Sequence, residues 1–215
     1  MFNIHRFIFN PFGENTYLLV DRDTKDAVVV DPGMFNDQEN KVFDKFINDN
    51  HINLQQIINT HLHLDHCFGA GHVKSKYGIK LSASVGDTPL GLALGKQALK
   101  FGIKGVFSQQ GITIDINLSD GDIITVGNSQ LTVIAVPGHS PGGIALYCKE
   151  QGFVLSGDSL FEGSIGRTDL EGGNHATLVR SVTDRLLTLP PATDVFPGHG
   201  GSTTIANERR FNPYL

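Results

Sequence analysis

Residues 60–69 read T-H-L-H-L-D-H-C-F-G, so that His61, His63, Asp65 and His66 crowd into six positions. All four are acid–base or metal-ligating types, and the question is which backbone could use them together. Two residues apart on a helix point to nearly opposite sides, whereas alternate residues of an extended chain share a face. His61 and His63 therefore converge only on extended backbone; Asp65 continues their row, and His66 joins it if the chain bends. The stretch reads as the end of a strand breaking into a loop over a polar cavity. Three later residues occupy similar settings: His139 in V-P-G-H-S-P-G, Asp158 in L-S-G-D-S-L and His199 in F-P-G-H-G-G. Each follows a strand-like run at a glycine-containing turn, where a rigid sheet can aim side chains at one point and backbone can approach closely. Seven nitrogen and carboxylate ligands exceed the four of a tetrahedral zinc and suit two metals sharing a carboxylate and a solvent molecule. The division expected is His61, His63 and His139 on the first metal, Asp65, His66 and His199 on the second, and Asp158 between them. Imidazole with carboxylate suits two divalent ions, zinc first, with iron or manganese as alternatives.

The elements that must position these residues are visible in the patterning. Residues 2–9, 17–20 and 27–30 read as consecutive strands separated by P-F-G-E-N and D-R-D-T-K-D turns, the third ending in Asp31-Pro32-Gly33. Val42, Phe43, Phe46 and Ile47 recur at helical spacing within residues 36–50. Ile57 and Ile58 form a short buried strand leading into the histidine motif. Residues 68–77 read as a helix closed by Gly78, residues 81–83 as a strand, and residues 88–101 as a helix interrupted by glycines. The second half repeats the rhythm. Residues 112–116, 122–126, 130–136, 144–148 and 153–155 are strand candidates. Asn174 caps a helix running to Leu189 and stopped by Pro190-Pro191, and Val195-Phe196 is a last short strand. Two halves, each with strands first and helices after, predict an α/β fold: a four-layer αββα sandwich over residues 1–215 as one domain.

The bulk properties bound the rest. With 215 residues and 40% apolar content, a packed globule is expected. Seventeen basic against 22 acidic residues, and no basic run, argue against nucleic acid as a partner. Cys67 and Cys148 are too few for a disulfide scaffold. The N-terminal M-F-N-I-H-R-F lacks the features of a signal peptide, and no segment approaches the roughly 20 apolar residues of a membrane span. A cytoplasmic protein acting on a small molecule, with neither nucleic acid nor membrane as partner and of undetermined oligomeric state, is expected.

The H-x-H-x-D-H signature at residues 61–66, followed in order by His139, Asp158 and His199, resembles the metallo-β-lactamase superfamily. The motifs T-H-L-H-L-D-H, P-G-H-S-P-G, S-G-D-S-L-F, G-S-I-G-R-T-D and P-G-H-G are more specifically similar to short glyoxalase-II-like (hydroxyacylglutathione hydrolase-like) hydrolases. The resemblance implies the metallo-β-lactamase fold, the metal assignments above, and metal-assisted hydrolysis of a thioester such as S-lactoylglutathione. In that chemistry Asp65 orients the attacking water and accepts its proton. It also implies that Arg167 contacts a carboxylate of the thiol substrate through its planar fork; an internal salt bridge to Asp169 is the competing reading. Full-length glyoxalase II proteins carry a C-terminal helical domain that supplies much of the glutathione contact, whereas only 16 residues follow His199 here. The thiol carrier is accordingly open. The alternative function is that of a related family, persulfide dioxygenases, with one iron on the equivalents of His61, His139 and Asp158. β-Lactam hydrolysis and nuclease activity rank below both, and a metal-stabilised binding protein without turnover is the reading outside catalysis.

The other ionisable residues have plainer readings. His5, His51, His72 and His175 are surface or packing residues, and Cys67 is a small buried filler. Asp31 is a turn former, an acceptor that steers a ligand, or both. Met34 and the phenylalanines of the 36–50 helix belong to the core.

Overall fold

The computed structural model describes residues 1–103 and 111–215. Its first sheet has the order β1 (Phe2–Phe9), β2 (Glu14–Asp21), β3 (Asp26–Val30), β4 (Asn53–Ile58), β5 (Lys80–Ala83) and β6 (Ile116–Asn117). Strands β1 to β3 pair antiparallel through tight turns, while β3 to β6 pair parallel. Parallel neighbours need crossovers, supplied by α1 (Asp37–Asp49) and α2 (Ala70–Tyr77), and, between β5 and β6, by a connection containing α3 (Thr88–Leu92) and α4 (Leu94–Lys100). The second sheet joins β7 (Ile123–Val126), β8 (Ser129–Ala135), β9 (Ile144–Cys148), β10 (Phe153–Gly157), β13 (Asp194–Pro197) and β14 (Thr203–Thr204). Its order is β14-β13-β10-β9-β8-β7. A two-residue hairpin, β11 (Leu160–Phe161) with β12 (Ser164–Ile165), leads toward α5 (His175–Ser181); α6 (Ile205–Phe211) closes the chain.

Alternation along the strands makes the layers. In β2, Tyr17 and Leu19 face the second sheet while Leu18 and Val20 face the helices; in β3, Val28 and Val30 take the first side and Ala27 and Val29 the second. The inter-sheet core joins these to Leu131, Val133, Leu146, Phe153 and Leu155. Outside the first sheet lie Phe43, Ile47, Val73 and Leu94 of the helices; outside the second, Leu178, Val182, Leu186 and Ile205. Each such fully buried side chain contributes about 1.5–3 kcal/mol of transfer free energy. Helices, sheet, sheet, helices is the αββα sandwich expected. Asn36 caps α1 by accepting from the Gln38 and Glu39 amides, a contribution of about 1 kcal/mol.

Three local expectations differ. The helix expected over 88–101 is two short helices broken at Ala93 (φ −98°, ψ 13°), not at a glycine. The strand expected over 112–116 survives only at Ile116–Asn117. There the Ile112 amide donates to Gly91 O, and the Asp115 carboxylate takes the Leu81 amide, so side chain and helix end occupy ladder positions. The helix from Asn174 begins as expected, with the cap accepting from Thr177 N. It then widens into a π-turn over Val182–Leu186, with Leu187 N donating to Val182 O. Among the described residues no helix is long and apolar enough to cross a membrane.

Strands β3, β4, β5, β8, β10 and β13 end in the loops bearing Asp31, the 61–66 motif, Asp87, His139, Asp158 and His199. Strand β13 runs parallel to β10, and β8 shares that direction through antiparallel β9, so the loops of the second sheet open on one edge. Glu14, at the start of β2, bridges to His199, and Asn15 N donates to Gly198 O at 2.7 Å, tying the two sheets at that edge.

Candidate metal centre

After Ile58 the chain leaves β4, bends at Thr60, is extended at His63 (φ −74°, ψ 152°) and then makes a 3-10 turn at Leu64–His66. That bend brings His66 to the side already occupied by His61 and Asp65, as the spacing required. Leu62 and Leu64 are buried in the helix-side core and anchor the loop between the ligands. Gln97 of α4 fastens it further, donating to Leu62 O at 3.2 Å and accepting from Leu64 N at 3.0 Å.

Two clusters result. Donor atoms of His61, His63 and His139 lie within 4.8 Å of one another, as do those of Asp65, His66 and His199. Asp158 faces both: Oδ2 is 3.6 Å from His139 Nε2 and 3.6 Å from His199 Nε2, and Oδ1 is 3.5 Å from His66 Nε2. Asp65 Oδ2 stands 3.1 Å from His199 Nε2. The seven residues singled out in the sequence thus meet in the two groups expected, with Asp158 between. A third grouping, Asp31 with His61 and His66, is also close enough to hold an ion, but Asp31 is committed elsewhere.

Those commitments set the imidazole tautomers. His139 Nδ1 is 2.7 Å from the carbonyl oxygen of Arg167; a carbonyl only accepts, so Nδ1 carries the proton and Nε2 presents a lone pair. His66 Nδ1 lies 3.1 Å from Asp31 Oδ2, which assigns the same tautomer. Thr60 Oγ1 gives its single proton to Asp31 Oδ2 at 2.6 Å and therefore accepts from His61 Nδ1 at 3.0 Å. Asp31 also takes the Thr60 amide at 2.7 Å, and its φ of 50° is a left-handed conformation that Asp tolerates better than most residues. Both readings of Asp31, turn former and steering acceptor, hold. His63 is turned the other way, with Nδ1 2.8 Å from His139 Nε2.

Electrostatics agree for His61, His63 and the two carboxylates. Burial, then the neighbouring imidazoles, push the His61 pKa well below its ordinary value and that of His63 to about 3, so both are neutral at pH 7, as ligation requires. Burial opposes ionisation of Asp65 and Asp158, but His66 and the other histidines hold both below the carboxylate range. The same carboxylates raise His66 and His199 against the effect of burial. His61 Nε2 and Asp158 Oδ1 are buried without hydrogen-bond partners among the described residues. Orphaned buried polar atoms are costly, and here they stand within a convergent imidazole–carboxylate set. The residues fit divalent cations.

A cavity of about 360 Å³ opens over the clusters, walled by Phe12, Phe101, Phe161 and Leu170, with Arg167 at its edge. The Arg167 guanidinium makes a bidentate pair with exposed Asp169, at 2.7 Å for each bond, which is the competing reading of this residue. A slightly larger hollow, about 400 Å³, lies by Met34, Phe35 and Phe68 and contains neither ligand cluster. Cys67 is a buried free thiol and His72 pairs with Asp44 at 3.0 Å, both in the plain roles expected. Reading the sequence did not find Thr60, Gln97, Asp87 or the aromatic walls. Their positions follow from contacts far along the chain, and no local pattern marks them.

The chain is similar along nearly its whole length to characterised and solved proteins. It is 33% identical to hydroxyacylglutathione hydrolase GloC of Haemophilus influenzae, covering 99% of this chain and 98% of that one. It is 31% identical to mitochondrial persulfide dioxygenase ETHE1 of Mus musculus, over 93% of this chain and 70% of that one. Among solved structures, the BLEG-1 B3 metallo-β-lactamase superposes with a TM-score of 0.87 at 31% identity, covering 99% of each chain. The di-iron-bound form of TTHA1623 gives 0.85 at 32% identity, covering 98% of this chain and 100% of that one. The family model matching residues 9–199 is that of the metallo-β-lactamase superfamily. Sandwich topology, clustered ligands and whole-length similarity agree, and the chain belongs to the metallo-β-lactamase superfamily of metal-dependent hydrolases.

Proposed function

We propose that this protein is a glyoxalase-II-like thioester hydrolase, cleaving small S-acyl thiols such as S-lactoylglutathione. The observation that carries the reading is the second cluster: Asp65, His66 and His199 are assembled as completely as the three histidines beside them, with Asp158 facing both. In this reading His61, His63 and His139 hold one divalent ion, Asp65, His66 and His199 hold the other, and Asp158 is shared. Two such ions, zinc or alternatively iron or manganese, would supply a water of lowered pKa and polarisation of a substrate carbonyl. Asp65 would orient the attacking water and accept its proton. Phe12, Phe101, Phe161 and Leu170 exclude bulk water from the reacting carbonyl. Arg167, at the cavity edge, meets the substrate's carboxylate by exchanging Asp169 for it, an exchange made easy by the exposure of that pair. The leaving thiolate needs no strong acid. A small soluble substrate in the cytoplasm, rather than nucleic acid or a bilayer, completes the reading, and the free thiols Cys67 and Cys148 support a reducing setting.

The second reading is a mononuclear-iron persulfide dioxygenase, favoured by the mouse relative and by the presence of His61, His139 and Asp158, the set it would use. Metal content measured together with turnover separates the two. Two ions per chain and hydrolysis of S-lactoylglutathione or another member of a thioester panel supports the first reading. One iron, no thioesterase activity and oxygen uptake with glutathione persulfide refutes it. Arg167→Ala should raise KM for a carboxylate-bearing thioester several-fold with kcat nearly unchanged; unchanged KM returns Arg167 to its salt bridge alone.

A further inference from the structure

Asp87 closes a short turn after β5, far in sequence from every ligand, yet its side chain is buried. Oδ2 accepts from the Leu62 amide at 3.0 Å and from Ser140 Oγ at 2.8 Å; Oδ1 accepts from the Gly142 amide at 2.5 Å. Leu62 lies between His61 and His63, and Ser140 follows His139. One carboxylate therefore ties together the two loops that carry the three histidines of one cluster. The packing is close: a Cβ on Gly142 would meet Asp87 N at 2.5 Å, and one on Gly86 would meet Gly142 Cα at 2.9 Å. Asp31, in contrast, serves both clusters, receiving His66 Nδ1 and holding His61 through Thr60.

We propose that Asp87 is a positioning residue for one half of the centre: a clamp that sets the spacing between the His61/His63 loop and the His139 loop, and through it the affinity of that half-site for its metal. The inference rests on the two-metal reading of the site, and not on which substrate is hydrolysed. All three partners are donors, two N–H and one O–H, so only an acceptor on both oxygens satisfies them. An amide cannot replace it. Whichever way Asn is placed, its NH2 meets the Gly142 amide or the Leu62 amide, donor against donor. Residues that orient metal ligands in this way commonly change metal affinity about 10–100-fold when replaced.

The test uses the full chain titrated with Co2+. Absorption bands are assigned to the half-sites with His63→Ala and His199→Ala, and affinities are measured by chelator competition. Asp87→Asn should weaken the half-site of His61, His63 and His139 about 10–100-fold and shift its bands, while the other half-site changes by less than about 3-fold. Asp31→Asn, which loosens His66 directly and His61 through Thr60, should weaken both half-sites. Ser140→Ala, a smaller change that keeps the carboxylate, should weaken the same half-site by a lesser factor and decides the matter if Asp87→Asn does not fold. For Asp87→Asn or Ser140→Ala, equal loss at both half-sites, or no change at the first, overturns the proposal. Inactivity of the wild type on thioesters would refute the proposed function and leave this measurement standing.

Discussion

Thr60→Val is nearly isosteric and removes one oxygen from the centre. In the wild type that oxygen gives a proton to Asp31 at 2.6 Å and receives one from His61 Nδ1 at 3.0 Å. The valine variant loses a hydrogen bond to a charged acceptor, about 1.5–3 kcal/mol, and leaves the His61 Nδ1 proton buried without a partner, about 1–3 kcal/mol. The extra methyl offsets up to about 0.8 kcal/mol. Asp31 keeps His66 and the Thr60 amide, so the net loss is placed at about 3 kcal/mol. For a chain of this size that lowers Tm by about 6–12 °C. The metal-free variant should show this shift in calorimetry. The metal-loaded variant should show more, because His61 is freed to take the other tautomer and turn its proton toward the ion. A 10–100-fold loss of affinity adds about 1.4–2.8 kcal/mol at saturating metal. Thr60→Ser, which keeps the hydroxyl, should retain wild-type affinity. A valine variant with unchanged Tm and unchanged chelator competition would refute the tautomer argument, since the hydroxyl would then not fix His61.

Further outcomes follow from other contacts. Gly198→Ala inserts a methyl 2.3 Å from Asp158 Oδ1 and 2.7 Å from His66 Cε1. Overpacking should cost about 1–3 kcal/mol and, by displacing the shared carboxylate, abolish tight binding of two ions per chain; full stoichiometry by elemental analysis would contradict the assignment of Asp158. Stripping metal with chelator should lower Tm by about 8–16 °C relative to protein holding metal at about 1,000 times its Kd, a stabilisation of about 4 kcal/mol. Equal melting with and without metal would argue against the site. Asp21 accepts from Ser129 Oγ at 2.6 Å, from Thr24 and from the N-terminal ammonium, Ser129 being the main cause of a pKa held below the usual carboxylate range. A depressed native pKa stabilises the fold above the unfolded value near 3.9 and is lost as pH falls toward the native one. Asp21→Asn should therefore cost about 1.5–3 kcal/mol at pH 7 and flatten the fall of stability between about pH 5 and pH 2; parallel pH curves in urea melts would count against it.

Much of the site is legible in the sequence because its constraints are local. The two-residue spacing of His61 and His63 demands extended backbone, and the His66 imidazole can join them only through a bend, which the chain makes at Leu64–His66. Strand ends marked by glycine place His139, Asp158 and His199, and the continuous apolar runs Tyr17–Val20 and Ala27–Val30 encode a sheet buried on both faces. The breaks are where local pattern and tertiary contact disagree. Ala93 ends a helix although good helix formers flank it, because Gly91 O is taken by Ile112 N and the following turn reorients Leu94 and Ala98 onto the core. The residues after His199 carry no helical expectation in the sequence, yet they form α6 around buried Glu208, which takes Thr203 Oγ1 at 2.6 Å and Asn212 at 2.8 Å.

By itself, the sequence determined the ligand types, their order, their grouping into an extended pair and a bent pair, and the alternating strands that bury two sheets against each other. Those follow from the periodicity of the backbone and the chemistry of imidazole and carboxylate. Only the tertiary structure decided which nitrogen of each histidine is free. That choice depends on acceptors brought from 28 to 35 residues away, as with Arg167 O for His139 and Asp31 for His66. It likewise decided that Asp87, an undistinguished residue in S-V-G-D, sits between two ligand loops, since a buried carboxylate takes its meaning from the donors that the fold delivers to it.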